Sequence, residues 1–414
     1  LSAVSPKPSP IEWWEQFPTP LRTITKSRFL ASMGAGGVIY LTPLVFNQKD
    51  FSATQIGLGL ALAALIGTIA RLVSGLLLDK GINCTKLVKA TALLAIIADL
   101  TLFNAQNYSQ FLQGQLIIGI ATGIYWPSIE LAVPISCGNF PSSKGFALGR
   151  SADALGISIG AFIGSIAASA GAIKFIYLFD IFWLCCLLSL LKDKTIKDQR
   201  KALETSKNEN HHSFLQMQWI QPLIPILLIS LLSTGILSLM QSALPIDLVR
   251  GGISRPELSE AWSGVLISIQ LILLVIIQWP IGRWVAEKKL TYGLKISLLG
   301  LGIGCLLIGL SSLISNGAIL ILIAQIPIAF GLAAFLPTST EAIISATPIE
   351  KQGIAMALFS QCFAISAFIA PIISGRLLDT QGNGLILWIS AFILCMLSIS
   401  LMNNKTMKYS QIRS

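Results

Sequence analysis

The chain has 414 residues, of which 54% are hydrophobic and only 12% are charged, and its net charge is +10. A soluble domain carries roughly 25% charged residues. This composition therefore excludes a water-soluble globular protein and indicates an integral membrane protein. The apolar runs are long and lack the alternation of β-barrel strands, which favours transmembrane helices. Because the basic residues lie between apolar runs, the positive charge does not indicate nucleic-acid binding.

Twelve apolar runs are long enough to cross a bilayer, which takes about 20 residues. They are 28–46, 54–78, 86–105, 109–133, 146–171, 173–191, 220–246, 259–286, 291–313, 317–341, 352–375 and 384–402. The sequence predicts an all-α membrane protein of two six-helix bundles, at 28–191 and 220–402. Residues 192–219 are predicted to form a linker, and 1–27 and 403–414 to form terminal tails.

The distribution of Lys and Arg gives the predicted orientation. If both tails and the linker are cytoplasmic, the cytoplasmic segments hold 22 of the 29 Lys and Arg residues and the outer loops hold 5. This asymmetry follows the positive-inside rule. We therefore expect a multi-pass protein of the inner or plasma membrane, in contact with the lipid bilayer, with both termini in the cytoplasm.

The two halves resemble each other in sequence. At an offset of 207 residues, SATQIGLGL at 52–60 aligns with SEAWSGVLI at 259–267, and Gly75 falls on Gly282. The motifs GIYWPSIE in the fourth span and GLAAFLPTSTE in the tenth share Gly, Pro and a Glu near the cytoplasmic end. Two halves in the same orientation form a parallel repeat about an axis along the membrane normal.

The second span ends in RLVSGLLLDKG, where Gly75, Asp79 and Lys80 fit the pattern G-x-x-x-D-(R/K). Together with twelve spans, the repeat and a basic linker, this pattern resembles the major facilitator superfamily over residues 28–402. The basic pair that ends the family's motif is absent, and Ala286 stands at the Asp position of the second copy. In that family the motif holds one conformation of an alternating-access transporter, so the resemblance implies a cytoplasmic latch. The predicted latch comprises Arg71, Gly75, Asp79, Lys80, Glu130, Arg150, Gly282, Arg283 and Glu341.

Two further patterns bear on the direction of transport. The fifth span carries Gly156, Gly160 and Gly164 at positions that match a motif of antiporters in this family. The fourth span has Gln115 where proton antiporters have Arg. Because small residues four apart also serve general helix packing, the glycines support either interpretation.

Ionisable residues inside spans are candidates for function. Asp153 and Glu130 are the candidates for carrying a coupling proton, and a purely structural ion-pair network is the alternative. Asp99, Asp180 and Asp247 lie nearer the predicted outer face, where we expect a surface or packing role.

Polar and aromatic residues at suitable depths are candidates for the lining of a central substrate cavity. They are Tyr40, Tyr125, Trp126, Gln241, Gln270, Gln325, Phe335 and Gln361. These amides and rings suit a neutral, amphipathic or mildly cationic solute better than a phosphate or a dicarboxylate.

The sequence contains no pattern of a nucleotide-binding, metal-binding or nucleophilic site, so we expect neither an enzyme nor a cofactor. It predicts a secondary transporter, monomeric, that moves a small organic solute by alternating access. Proton-coupled efflux of amphipathic compounds is the leading hypothesis. The alternatives are uptake of a metabolite such as a sugar or amino acid, and a non-transporting membrane protein that binds a ligand or assists assembly.

Overall fold

The structure is a computed structural model that describes residues 10–140, 142–192, 219–348 and 352–403. Within these ranges the chain is helical and contains no strand. The α-helices are α1 Pro10–Glu15, α2 Thr19–Asn47, α3 Ala53–Asp79, α4 Cys84–Asn104, α5 Tyr108–Cys137, α6 Ser142–Ser169, α7 Ile176–Leu191, α8 Ile224–Ser242, α9 Leu244–Arg250, α10 Ala261–Ala286, α11 Leu290–Ser311, α12 Gly317–Ser345, α13 Gln352–Gln381 and α14 Leu385–Asn403. The predicted linker and C-terminal tail lie almost entirely outside the described residues.

Twelve described segments are long and apolar enough to cross a membrane, which confirms the predicted number of spans. Two of the differences from the predicted spans bear on the arrangement of the helices. The first spanning helix, α2, begins at Thr19 rather than at 28, with a proline in its first turn. The seventh span is broken between Ser242 and Leu244. The break has a local cause, because Pro245 has no N–H with which to continue the hydrogen bonding of α8.

The spanning helices form two bundles. In the first half α2 packs against α6 and α7, α3 against α5, and α4 against α5 and α7. In the second half α11 packs against α12 and α14, α10 against α12, and α8 against α13. Two helix pairs, α3 with α13 and α6 with α10, join the halves. The interface between the bundles is therefore built from equivalent helices of the repeat.

We call the membrane face at which α2 begins the N-face, and the other the opposite face. Toward the opposite face, glycines let the two bundles approach closely. A Cβ atom on Gly57 of α3 would lie 2.2 Å from the carbonyl oxygen of Pro371, and one on Gly264 of α10 would lie 2.4 Å from that of Ala161. Residues without a side chain are required where helix backbones touch in this way.

The bundles part toward the N-face. Gly75 of α3 and Gly282 of α10 are the corresponding positions of the repeat near that face, and nothing lies within 4 Å of a Cβ atom built on either. The glycines of α6 do not line the gap, because they pack α6 against α2: a Cβ atom on Gly160 would lie 2.1 Å from the carbonyl oxygen of Met33. In the described residues the halves are thus in contact at the opposite face and leave a gap around Gly75 and Gly282, and we call the N-face open in this sense.

Candidate functional site

A buried arginine organises the charged residues of the first bundle. Arg28 of α2 has a side chain that is only 1% exposed. Its Nε donates hydrogen bonds to both carboxylate oxygens of Asp153 at 3.1 Å, and its Nη2 donates to Asp153 Oδ2 and, at 3.1 Å, to Glu130 Oε1. Two carboxylates from two other helices therefore share one guanidinium, which compensates charges that burial would otherwise make costly.

Helical spacing explains how these groups meet. Ser32 lies one turn after Arg28 on α2, and its hydroxyl donates to Asp153 Oδ1 at 3.1 Å. Gly149 lies one turn before Asp153 on α6, and a Cβ atom there would be 3.2 Å from Cδ of Arg28. Residues four apart occupy the same face of a helix. Gly149 thus leaves room on α6 for the side chain of Arg28, which binds Asp153 one turn later on the same helix.

The cluster extends from the bundle interior toward the N-face. Glu130, 26% exposed, pairs through Oε1 with Nη2 of Arg150 at 3.4 Å, and the Arg150 side chain is 65% exposed. Arg28, Glu130, Arg150 and Asp153, here called the Arg28 cluster, contain two cations and two carboxylates. It is therefore neutral as a whole when all four groups are ionised, and its Glu130 end is the one nearer to water.

The sequence brought Glu130, Arg150 and Asp153 together but missed Arg28. Because the predicted span starts at residue 28, the sequence places this arginine at the edge of the N-terminal tail. The signal that could have found it is the pair Thr19–Pro20, since proline favours the first turn of a helix. A helix that begins there places Arg28 more than two turns inside α2.

The remaining residues of the predicted latch do not assemble in this conformation. Arg71 is half-buried and its Nε has no hydrogen-bond partner in the described structure. Lys80, Arg283 and Glu341 are exposed, and the described atoms of Arg283 and Glu341 form no ion pair with each other. Asp79 ends α3, and its side chain lies outside the described residues. With Gly75 and Gly282 facing open space, the latch stays a prediction for another conformation.

An acidic residue closes the opposite face instead. Asp379, in the last turn of α13, accepts hydrogen bonds from the backbone N–H groups of Ala53 at 3.0 Å and Thr54 at 2.7 Å. These donors open α3, where the first N–H groups have no helical partner and the helix dipole is positive. Arg250 at the end of α9 donates to the same carboxylate at 2.9 Å. Asp379 thereby joins the second bundle to the first.

A second polar contact joins the halves at this face. Nε2 of Gln48, just after α2, donates to Oε2 of Glu260, just before α10, at 2.6 Å. Partial burial raises the pKa of Glu260, although the hydrogen bond from Gln48 acts in the other direction. Deeper in the membrane, the Ser268 hydroxyl donates to the backbone oxygen of Ser158 at 2.9 Å across α6 and α10.

The residues predicted to line a central cavity do not converge on one site. Gln241 of α8 donates to the hydroxyl of Tyr40 on α2 at 3.5 Å, so these two join the halves. Gln325 is fully buried and donates to Ile321 of its own helix at 2.9 Å. Phe335 is buried against Phe359, with ring centroids 6.3 Å apart. Gln270 is buried and Gln361 is half-buried.

Tyr125 and Trp126 lie elsewhere, inside the first bundle. Both line a cavity of about 100 Å³ between α2, α4, α5 and α7. Trp126 also places its ring centroid 5.8 Å from Cζ of Arg28, within the range of a cation–π interaction. The cavity therefore borders the Arg28 cluster through Trp126 and through Ser32, which also lines it.

The three aspartates near the opposite face are all buried rather than at the surface. Asp247 accepts hydrogen bonds from the backbone N–H of Gly384 at 2.8 Å and from Nε1 of Trp388 at 3.0 Å, and it pairs with buried Arg255 at 3.3 Å. It is a packing residue of the second bundle. Asp99 and Asp180 have no such set of partners.

Twelve described segments that can cross a membrane, arranged in two repeated bundles, are the architecture of a multi-pass membrane transporter. The chain belongs to the Major Facilitator Superfamily, whose sequence profile matches residues 26–293.

The chain is also similar to individual transporters. It is 31% identical over 157 residues to "Multidrug resistance protein MdtG" of Proteus mirabilis (strain HI4320), an alignment that covers 38% of each chain. The protein of the same name from Escherichia coli O6:K15:H31 (strain 536 / UPEC) is 29% identical over 182 residues, which cover 43% of this chain and 42% of the relative. The chain thus spans about two fifths of the length of these curated relatives.

Solved structures share the fold over nearly the whole chain. The nucleoside transporter NupG superposes with a TM-score of 0.77 at 12% identity, covering 94% of this chain and all of that one. A POT family transporter in complex with 5-aminolevulinic acid gives a TM-score of 0.77 at 13% identity, covering 93% and 96% of the two chains. At these identities the likeness concerns the fold alone.

Proposed function

We propose that the protein exports small amphipathic compounds by alternating access, driven by protons that move in the opposite direction. Membership of the superfamily and the similarity to the multidrug resistance proteins support this proposal. The excess of Lys and Arg assigns the N-face to the cytoplasm. The open N-face is then the side from which a solute enters.

The observation that carries the coupling hypothesis is the sharing of Arg28 by Asp153 and Glu130. A proton on Asp153 removes the negative charge that holds the guanidinium, and so weakens the attachment of α2 to α6. Protonation of Glu130 weakens its pairs with Arg28 and Arg150 in the same way. Because α6 also packs against α10 of the other half, a change at α2 and α6 reaches the interface between the halves.

Flux measurements in proteoliposomes test this proposal. A fluorescent amphipathic cation is followed under an imposed pH gradient, and then in exchange without any gradient. We expect the gradient to drive transport in the original protein. Asp153→Asn or Glu130→Gln is expected to abolish gradient-driven flux while sparing exchange, because a neutral amide cannot carry the proton.

Other results would favour other functions. Loss of both activities in Asp153→Asn would assign that residue a structural role. Inward flux of sugars or amino acids, without transport of amphipathic cations, would favour metabolite uptake. If no solute moves under any gradient and a partner protein co-purifies with the chain, the non-transporting alternative is favoured. Asp50→Asn, at a surface turn beyond α2, is the matched control and should transport normally.

A further inference from the structure

Two carboxyl groups in the first bundle lack a compensating cation. Asp99 of α4 and Asp180 of α7 are 0% and 3% exposed, and their side chains are within hydrogen-bonding reach of each other. Apart from each other, both oxygens of Asp99 and Oδ1 of Asp180 have no partner in the described part of the chain. No described Lys, Arg or His pairs with either residue. The buried Tyr177 interacts electrostatically with Asp99, and its hydroxyl donates to Thr42 at 3.1 Å.

Such a pair must bind protons or a cation. Transferring an ionised carboxylate from water into an apolar interior costs several kcal/mol unless a cation compensates it. Elsewhere in this protein that requirement is met, since Asp153 binds Arg28 and Asp247 binds Arg255. No described cation compensates Asp99 and Asp180, so their charge is balanced either by bound protons or by a cation that enters the site.

The cavity of about 100 Å³ supplies room for it. Asp180 forms part of its wall, while the rest is almost entirely apolar and includes Ala35, Ala95 and Leu184. Tyr125 of α5 also lines the cavity, and its hydroxyl is buried without a hydrogen-bond partner in the described structure. An apolar cavity of about 150 Å³ can hold a benzene ring. This one fits a smaller apolar body, on the order of four or five heavy atoms by that comparison.

We infer that this cavity is a binding site for a small amphipathic cation, namely a protonated amine on a short apolar body. The ammonium pairs with Asp180, with Asp99 behind it, and the apolar part lies between α2, α4 and α5 beside the ring of Trp126. Arg28, whose Cζ lies 5.8 Å from the centroid of that ring, does not repel the ligand strongly because Asp153 and Glu130 compensate its charge. The site lies inside one bundle, away from the interface between the halves.

The interpretation of this cavity as a site for a transported solute rests on the proposed function. The binding experiment below does not depend on transport. Equilibrium dialysis of the purified full chain in detergent measures the binding of radiolabelled isobutylamine and of isobutanol, which has the same shape without the charge. We expect one saturable site for the amine. Asp180→Asn should weaken amine binding at least tenfold and change isobutanol binding less than twofold.

A second variant keeps the inference testable if Asp180→Asn fails to fold. Ala95→Leu fills the cavity and leaves both carboxyl groups in place, and it should abolish the binding of both probes while the thermal midpoint changes little. Equal affinity for amine and alcohol in the original chain would overturn the inference and leave the carboxyl pair occupied by protons alone. Unchanged amine binding in Ala95→Leu would also overturn it. Binding without flux in proteoliposomes would contradict the proposed transport function and not this site.

Discussion

Asp379 of the second bundle accepts a 2.7 Å hydrogen bond from the backbone N–H of Thr54 in the first. One carboxylate thus caps α3, pairs with Arg250 and fixes the two halves to each other at the opposite face. The pattern Gly375-x-x-x-Asp379 repeats the spacing of Gly75 and Asp79, but it lies at the other end of the interface. Its contacts are made in the conformation in which the Gly75 end is open.

Neutralising Asp379 should loosen this closure. Asp379→Asn keeps the size of the side chain but removes the charge that favours the N-terminus of α3 and Arg250, a loss of about 1–2 kcal/mol. We expect a cysteine placed at Gln48 to react faster with a membrane-impermeant maleimide, in a background where Cys185 and Cys186 are replaced by Ser. Arg376→Gln, one turn earlier on the exposed surface, is the control. Equal reaction rates in Asp379→Asn and the control would contradict the role of Asp379.

Two glycines of α3 should respond differently to alanine. A methyl group at Gly57 would meet the backbone of Pro371, so Gly57→Ala should destabilise the closed opposite face by about 1–3 kcal/mol. Gly75→Ala meets nothing in this conformation and should leave its stability unchanged, while slowing transport if the N-face closes over that position. The measurements are the maleimide reaction rate and the transport rate. Equal destabilisation by Gly75→Ala and Gly57→Ala would contradict the difference in packing between the two faces.

Replacing Arg28 should cost more stability than replacing Arg150. Arg28→Gln leaves two partly buried carboxylates without their cation, which typically costs about 3–5 kcal/mol. Arg150 is 65% exposed, so Arg150→Gln should cost less than about 1 kcal/mol. Unfolding in detergent micelles titrated with sodium dodecyl sulfate measures both. The double variant Arg28→Gln/Asp153→Asn should recover part of the loss, and no recovery would show that the two residues do not act as a pair.

The contact between Gln48 and Glu260 should depend on pH. Burial raises the pKa of Glu260 in the closed state above the ordinary value of about 4.3 expected when the face opens. The closed state therefore binds a proton on Glu260 more tightly than the open state does. The stabilisation of closure by protonated Glu260 is fully present below the ordinary pKa and is lost as the pH rises through the raised pKa. The substitution Gln48→Cys would remove the hydrogen bond to Glu260. The maleimide reporter in this experiment is therefore a cysteine at Ser259.

For that reporter we expect slower labelling, corrected for thiolate content, as the pH falls over this window. Glu260→Gln supplies the control because it keeps the hydrogen bond and cannot titrate. A pH dependence of the same size in Glu260→Gln would assign the effect to other groups.

The sequence was sufficient for the architecture because hydropathy and the repeat are properties of single helices and of their order. It also brought Glu130, Arg150 and Asp153 together, since the resemblance to the family implies which helices are neighbours. It could not give the pairing of the buried groups. Arg28 was missed because three basic residues near the start of α2 lower the hydropathy of that helix. Asp379 was missed because its partners in the first bundle are backbone N–H groups, which carry no sequence signal.

Burial of Asp99 and Asp180 also escaped prediction. Their depth along the helix can be counted from the sequence, but the side of the helix on which they lie depends on how α4 and α7 are rotated. The hydrophobic pattern of a membrane helix that is apolar on every side does not specify that rotation. The predicted latch depends on conformation in the same way, since a single structure contains only one arrangement of the two halves.

We expect the two bundles to close alternately at the two faces of the membrane. Electron–electron double-resonance distances between spin labels test it most directly. One pair is placed at Lys80 and Arg283 on the N-face, and one at Asp50 and Glu257 on the opposite face. On addition of a transported amphipathic cation or a change of pH, we predict that the first distance shortens while the second lengthens. Distances that stay fixed, or that shorten or lengthen together, would contradict alternating access in this protein.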